Sequence, residues 1–280
     1  MIERPDDLLP GLEEHRLEWR GSRLRYYDGG SGPPLVLVHG LGGAAWNFTM
    51  LAPLLAHRRL MIPDLPGHGG SSPLPDASSL AAFADSVSAV CADAGIDEAD
   101  VFGHSLGGTV ALKLAVRRPS LVRRLVLGAP AGITSSTRAS EVFINFICVV
   151  QPGRHAGRHV HRIARSQRLR TAAFGRFEVS NAAALAEQAV HGFLHAPRLH
   201  TDPLGAGRAL VAGDPRPELH RVTCPVLLLW GARDRQVPLS DGFQLARGLR
   251  AQLRVIADCG HLLIGERPDA CAAAIESFCA

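Results

Sequence analysis

Short apolar runs alternate with amphipathic segments along most of this chain, and that rhythm limits the available folds more than any other feature. Leu35–Val38, Val101–Phe102 (led in by Ala99), Leu121–Leu127 and Val226–Trp230 have strand length and are bounded by Gly or Pro. Trp46–Ala56, Leu80–Ala94 and Ser105–Arg118 carry apolar residues at helical spacing, and the last stops at Pro119, which cannot continue a helix. Strands that are apolar throughout need cover on both faces, and parallel strands need crossover connections. The pattern therefore predicts an α/β fold: a mostly parallel twisted sheet with helices on both faces. Arg16–Arg20 and Leu24–Tyr27, flanking Gly21-Ser22, predict an antiparallel hairpin at the sheet edge.

The rhythm breaks between Ala131 and Asp214. This stretch has no strand-like run and is rich in Arg, His and Ala; beyond it strand Val226–Trp230, helix Leu239–Leu249, strand Leu253–Ala257 and helix Arg267–Phe278 resume the alternation. Residues 1–130 and 215–280 are thus expected to form the core, and 131–214 a helical cap or lid inserted between two strands. A chain of 280 residues accommodates one such domain.

Composition excludes several classes. With 46% apolar and 20% charged residues the chain is globular, and a net charge of +4 does not point to nucleic acid. The first twenty residues are charged from the third onward and lack the apolar centre of a secretion signal. No apolar tract approaches the roughly 20 residues of a membrane span. Six scattered cysteines form no CxxC pair. A cytoplasmic protein acting on a small molecule is expected, without metal or cofactor and without nucleic acid or an integral membrane segment; a homodimer remains open.

The chemistry concentrates in Gly103-His104-Ser105-Leu106-Gly107, which follows a strand and opens a helix. In that context G-x-S-x-G is a sharp turn that lifts a serine hydroxyl above the sheet and forces its backbone towards positive φ. His39-Gly40-Leu41-Gly42-Gly43 follows strand Leu35–Val38, and its glycines let the backbone approach a substrate. The amides of Leu41 and Leu106 are the expected donors to a developing oxyanion. Serine needs a base, and the base needs an orienting carboxylate. Of thirteen histidines, His261 lies in the loop after strand Leu253–Ala257; Asp234 lies in the loop after Val226–Trp230. Both emerge at the C-terminal sheet edge, as Ser105 does. Asp258, three residues before His261, is expected to face away. His39 is expected to brace its loop, and Asp64 to hold a turn.

The strings VLVHGLGG, DLPGHGGSS, FGHSLGG, LLLWGARDRQVP and CGHLLIGERP resemble the α/β-hydrolase superfamily, particularly its small capped esterases and lipases. The resemblance spans Leu35–Pro130 and Val226–Ala280. It implies a Ser105–His261–Asp234 triad and hydrolysis of a carboxylic ester, lactone or thioester through an acyl-enzyme. Epoxide hydrolases and haloalkane dehalogenases of this fold carry aspartate where Ser105 stands. Its C–C-bond hydrolases tend to carry Asn and Trp where His104 and Leu262 stand. A C–C hydrolase or lyase on the same triad, and a ligand receptor with little turnover, are the competing readings. In the insertion, Arg154, Arg158, Arg162 and Arg165 are spaced by four, four and three, one stripe on a continuous helix, and Arg158 and Arg162 are the candidates to bind an anionic substrate group.

Overall fold

The computed structural model describes residues 8–280, with Arg176 by its backbone alone. The charged start Met1–Asp7, weighed above for a secretion signal, lies outside the described residues. Eight strands form one sheet: β1 (Glu13–Trp19), β2 (Ser22–Gly29), β3 (Pro34–Val38), β4 (Arg59–Pro63), β5 (Ala99–His104), β6 (Val122–Gly128), β7 (Val226–Gly231) and β8 (Gln252–Ile256). They lie in the order β1-β2-β4-β3-β5-β6-β7-β8. Pairing is antiparallel from β1 to β4 and parallel from β4 through β8. The hairpin turns at Arg20 and Gly21, whose φ of 48° and 77° match the twist of the flanking strands, one residue before the expected Gly21-Ser22.

The central strands are buried on both faces. Leu35–Val38, Val101, Phe102 and Leu227–Trp230 are wholly inaccessible, which is why they read as unbroken apolar runs. Helices α1 (Leu80–Asp93), α2 (Leu106–Arg117), α9 (Leu239–Leu249), α10 (Leu263–Glu266) and α11 (Pro268–Cys279) complete the core. Two features differ from expectation. β4 was not anticipated, because its apolar centre is only Leu60–Ile62, between a basic approach and Pro63-Asp64. Trp46–Ala56 is two 3₁₀ turns, Ala45–Phe48 and Ala52–Leu55, since Pro53 lacks the N–H a continuing α-helix needs.

Between β6 and β7 lie α3 (Arg138–Val150), α4 (Pro152–Ala156), α5 (Val160–Ala164), α6 (Gln167–Glu178), α7 (Glu187–His195) and α8 (Pro203–Val211). Short polar caps start several of them: Thr137, Ser166 and Asp202 accept from Ser140, Leu169 and Gly205 amides. The segment encloses a small apolar cluster of its own, including Val160, Ile163, Phe174, Val190 and Leu194, to which Leu262 of the core contributes.

Candidate active site

Four loops leave the C-terminal ends of β3, β5, β7 and β8 and converge. Ser105, between β5 and α2, has φ 55° and ψ −123°. Its amide donates to Gly128 O (2.9 Å), and its carbonyl accepts from Gly108 N (2.9 Å) and Ala131 N (3.2 Å). These bonds hold a backbone conformation that a residue with a Cβ otherwise avoids. The flanking glycines are sterically required. A Cβ at Gly103 would overlap the Gly107 carbonyl, and one at Gly107 the carbonyls of Val38 and His39.

His261 Nε2 lies 3.0 Å from Ser105 Oγ, and its Nδ1 lies 2.8 Å from Asp234 Oδ2. The carboxylate can only accept, so Nδ1 carries the proton and Nε2 is free to take one from serine. The other Asp234 oxygen accepts from the amides of Gln236 and Val237, both at 2.9 Å, which fixes the carboxylate. The Asp234 carboxylate is fully buried and the His261 ring nearly so. Asp258 instead points to solvent, 71% exposed, and pairs with Arg233 at 2.6 Å.

The Gly40–Gly43 loop packs against the serine: a Cβ at Gly40 would sit 3.1 Å from Ser105 Cβ. Among the described residues, neither the Leu41 nor the Leu106 amide donates a turn, loop or cap hydrogen bond. His39 holds this loop, donating from Nδ1 to Gly40 O (2.8 Å) and accepting at Nε2 from Leu65 N (3.0 Å). Burial lowers its pKa to about 4, so the ring stays neutral. Asp64 accepts from Ala45 N, Gly70 N and the Arg25 guanidinium, tying three segments beneath the site.

Sequence reading missed the attachment of the insertion to the histidine loop. His261 N and Leu262 N both donate to Glu178 O, at 2.9 and 3.2 Å. The Glu266 carboxylate accepts from Gly260 N (2.9 Å) and Ser180 N (2.7 Å). His104, the residue before Ser105, donates from Nε2 to the His261 carbonyl (2.8 Å), and burial lowers its pKa to about 3. No motif marks Glu178 or Ser180. Glu178 is among the residues lining the cavity, and burial raises its carboxyl to about 7.

That cavity, of about 560 Å³, has Leu41, Ser105 and His261 at its base and Phe143, Ile144, Ile147, Phe174 and Phe193 among its walls. The continuous arginine stripe does not form. Gly157 stands within it, and the segment breaks into α4, a 3₁₀ turn at Gly157–His159, and α5. Arg158 and Arg162 are exposed and outside the cavity wall; Arg154 is the member that lines it. Among the described residues, no group of three or more His, Cys, Asp or Glu side chains is arranged to hold a metal ion. No helix among them is long and apolar enough to cross a membrane.

Residues 33–268 match the family model described as alpha/beta hydrolase fold. The chain belongs to that family. The α/β hydrolase is 36% identical to the pimeloyl-[acyl-carrier protein] methyl ester esterase of Aromatoleum aromaticum, over 87% of this chain and 97% of that one. It is 30% identical to the 2-hydroxymuconate semialdehyde hydrolase of Pseudomonas sp. (strain CF600), over 86% and 84%. It is 32% identical over 86% of its length to the dihydrolipoyllysine-residue acetyltransferase component of the acetoin cleaving system of Cupriavidus necator, and spans 62% of that protein. In structure, the α/β hydrolase superposes on a lipase from Acinetobacter baumannii AYE, described there only as a candidate, with a TM-score of 0.78. That match covers 99% of this chain and 94% of the other at 22% identity, and speaks to fold alone.

Proposed function

We propose that this hydrolase cleaves a carboxylic ester through an acyl-enzyme, with Ser105 as nucleophile, His261 as general base and acid, and Asp234 as the group that orients it. The observation carrying this reading is the unbroken chain from Asp234 Oδ2 through His261 to Ser105 Oγ, at 2.8 and 3.0 Å, at the base of the cavity. As Ser105 Oγ bonds to the acyl carbon, His261 Nε2 takes its proton, and the carbonyl oxygen becomes an anion held by the amides of Leu41 and Leu106. The imidazolium returns the proton to the leaving alkoxide and the alcohol departs. Water then attacks the acyl-enzyme with His261 again as base, releasing the acid and regenerating serine.

The helical insertion, 131–214, acts in this reading as the lid that selects substrate, since most of the cavity's aromatic wall comes from it. The full-length identity with a methyl ester esterase supports an ester over other acyl compounds. The likeness to a 2-hydroxymuconate semialdehyde hydrolase favours C–C cleavage as a second reading. Against it, His104 is engaged with the His261 carbonyl, and Leu262 is packed into the insertion's cluster. Rapid mixing with a chromogenic short-chain ester is the test. A burst equal to the enzyme concentration followed by turnover is expected. A single turnover without a steady state would assign the protein to ligand reception instead.

A further inference from the structure

Helix α3 is apolar on two sides and covered on one. Ile144 and Cys148 face α8, close to Gly207. On the outer side Val142, Phe146 and Val149 are 72%, 60% and 66% exposed, and from Val142 to Val150 the helix carries no charge, with Asn145 its one strongly polar residue. The spacing of four and three places those side chains in a single outward stripe. Phe143 continues it and meets Phe177 of α6 edge-on, with ring centroids 5.7 Å apart. Both phenyl rings are partly exposed and both line the cavity, so they join the exposed face of α3 to the cavity that holds Ser105. An apolar surface of this kind marks a place of contact.

The charge of the segment that follows α3 indicates the partner. Between Glu141 and Glu178 the chain has no acidic residue. Arg154 stands at the cavity wall, exposed. Arg158, Arg162, Arg165 and Arg168 are exposed, and none forms an ion pair among the described residues. Two copies of this chain meeting through α3 would bring these basic segments together at a cost. An anionic lipid surface satisfies both the stripe and the arginines.

We propose that the protein docks peripherally on anionic lipid surfaces through the exposed face of α3, with the cavity mouth held against the lipid so that an acyl chain enters without crossing water. Docking does not depend on which bond is cleaved.

The test is cosedimentation of the intact protein with vesicles of phosphatidylcholine, alone or mixed with phosphatidylglycerol, at low and high salt. Binding to the mixed vesicles should be about tenfold tighter or more at low salt, and should weaken as salt screens the arginines. Val142→Gln/Phe146→Gln/Val149→Gln should lose about tenfold or more of that binding. These side chains are exposed and outside the cavity wall, so melting temperature and hydrolysis of a water-soluble ester should not change; Phe146→Gln alone should give a graded loss. Absence of sedimentation with either vesicle, equal sedimentation with both, or a triple variant that sediments like the parent would each overturn the proposal. So would a concentration-dependent dimer that the triple variant abolishes without any vesicle binding, which would give α3 to self-association. Vesicle binding is read whether or not any ester is turned over, so its failure is separate from failure of the ester reading.

Discussion

The sheet and the helical insertion share one cavity, but different forces hold them. In the sheet, whole strands are buried on both faces, each buried aliphatic side chain being worth about 1.5–3 kcal/mol, and the loops above are pinned by buried polar hubs such as Asp64 and His39. In the insertion, helices of five to thirteen residues rest on a small cluster, capped locally, with apolar side chains left in solvent. The difference gives rigidity to the proposed triad and leaves adaptable surface to the insertion proposed as the lid. Helices this short depend on packing more than on their own propensity, so insertion amides should exchange with solvent ahead of those in β3, β5 and β7.

The contrast can be broken most directly at the nucleophile. Ser105→Ala should lower kcat by up to about 10⁶, leaving a residue from oxyanion stabilisation and binding. Arg158→Ala or Arg162→Ala, outside the cavity, should change kcat/KM by less than about twofold for neutral and anionic esters alike, within the ordinary range of surface substitutions. A large, selective loss on the anionic ester would return those residues to the site. Next in size, Asp234→Asn should cost about 10⁴ in kcat by imposing the wrong histidine tautomer. Asp258→Asn should leave kcat nearly unchanged; if it proves the more damaging, the orienting carboxylate is misassigned.

Packing gives a smaller effect. Gly107→Ala drives a methyl into the carbonyls of Val38 and His39 at the end of β3 and should destabilise by about 1–3 kcal/mol in urea unfolding. Gly153→Ala in α4 meets only the Pro197 ring, at 3.1 Å, and should cost less. Equal losses would erase the distinction between the two regions.

The smallest expected effect is in the pH dependence of stability. Glu178 keeps its proton up to about 7 when folded and loses it near 4.5 when unfolded, so the folded chain holds the extra proton between those values. Its contribution therefore falls as pH rises from 4.5 to 7. Glu178→Gln, neutral throughout, should raise the melting temperature more at pH 8 than at pH 5; an equal shift at both would reject the buried neutral acid. Buried and half-buried histidines work in the opposite sense in both regions. His39 and His104 in the core titrate at about 4 and 3, and His195 in the insertion at about 4. Each binds a proton more readily once unfolded, so stability is lost as pH falls from 6.5 towards 4.

The comparison also separates what could be read in advance. Strands such as Leu35–Val38 and Val226–Trp230 were legible because burial on both faces writes itself as an unbroken apolar run. The convergence of Ser105, Asp234 and His261 was legible because the turn chemistry around each is confined to a few neighbouring residues. β4 escaped because three apolar residues carry no period, and the helix expected at Trp46–Ala56 ignored Pro53. The arginine stripe does not form because a spacing of four, four and three assumes one unbroken helix, while the segment turns at Gly157–His159, where Gly157 packs closely on the Leu194 carbonyl. Glu178 and Glu266 act through contacts between distant segments, which no local pattern encodes.

The attachment of residues 178–180 to the histidine loop bears on how such a protein can be altered. Glu178 O holds two amides of that loop, and Glu266 bridges Gly260 to Ser180, so the insertion proposed to select substrate also braces His261, the proposed base. The insertion is therefore not a free cartridge. A chimera that grafts a relative's helices should place its junctions so that 178–180 and the 259–266 loop come from the same parent. A graft made at the sheet boundaries alone would change preference and turnover together, and a lineage evolving a new substrate meets the same constraint.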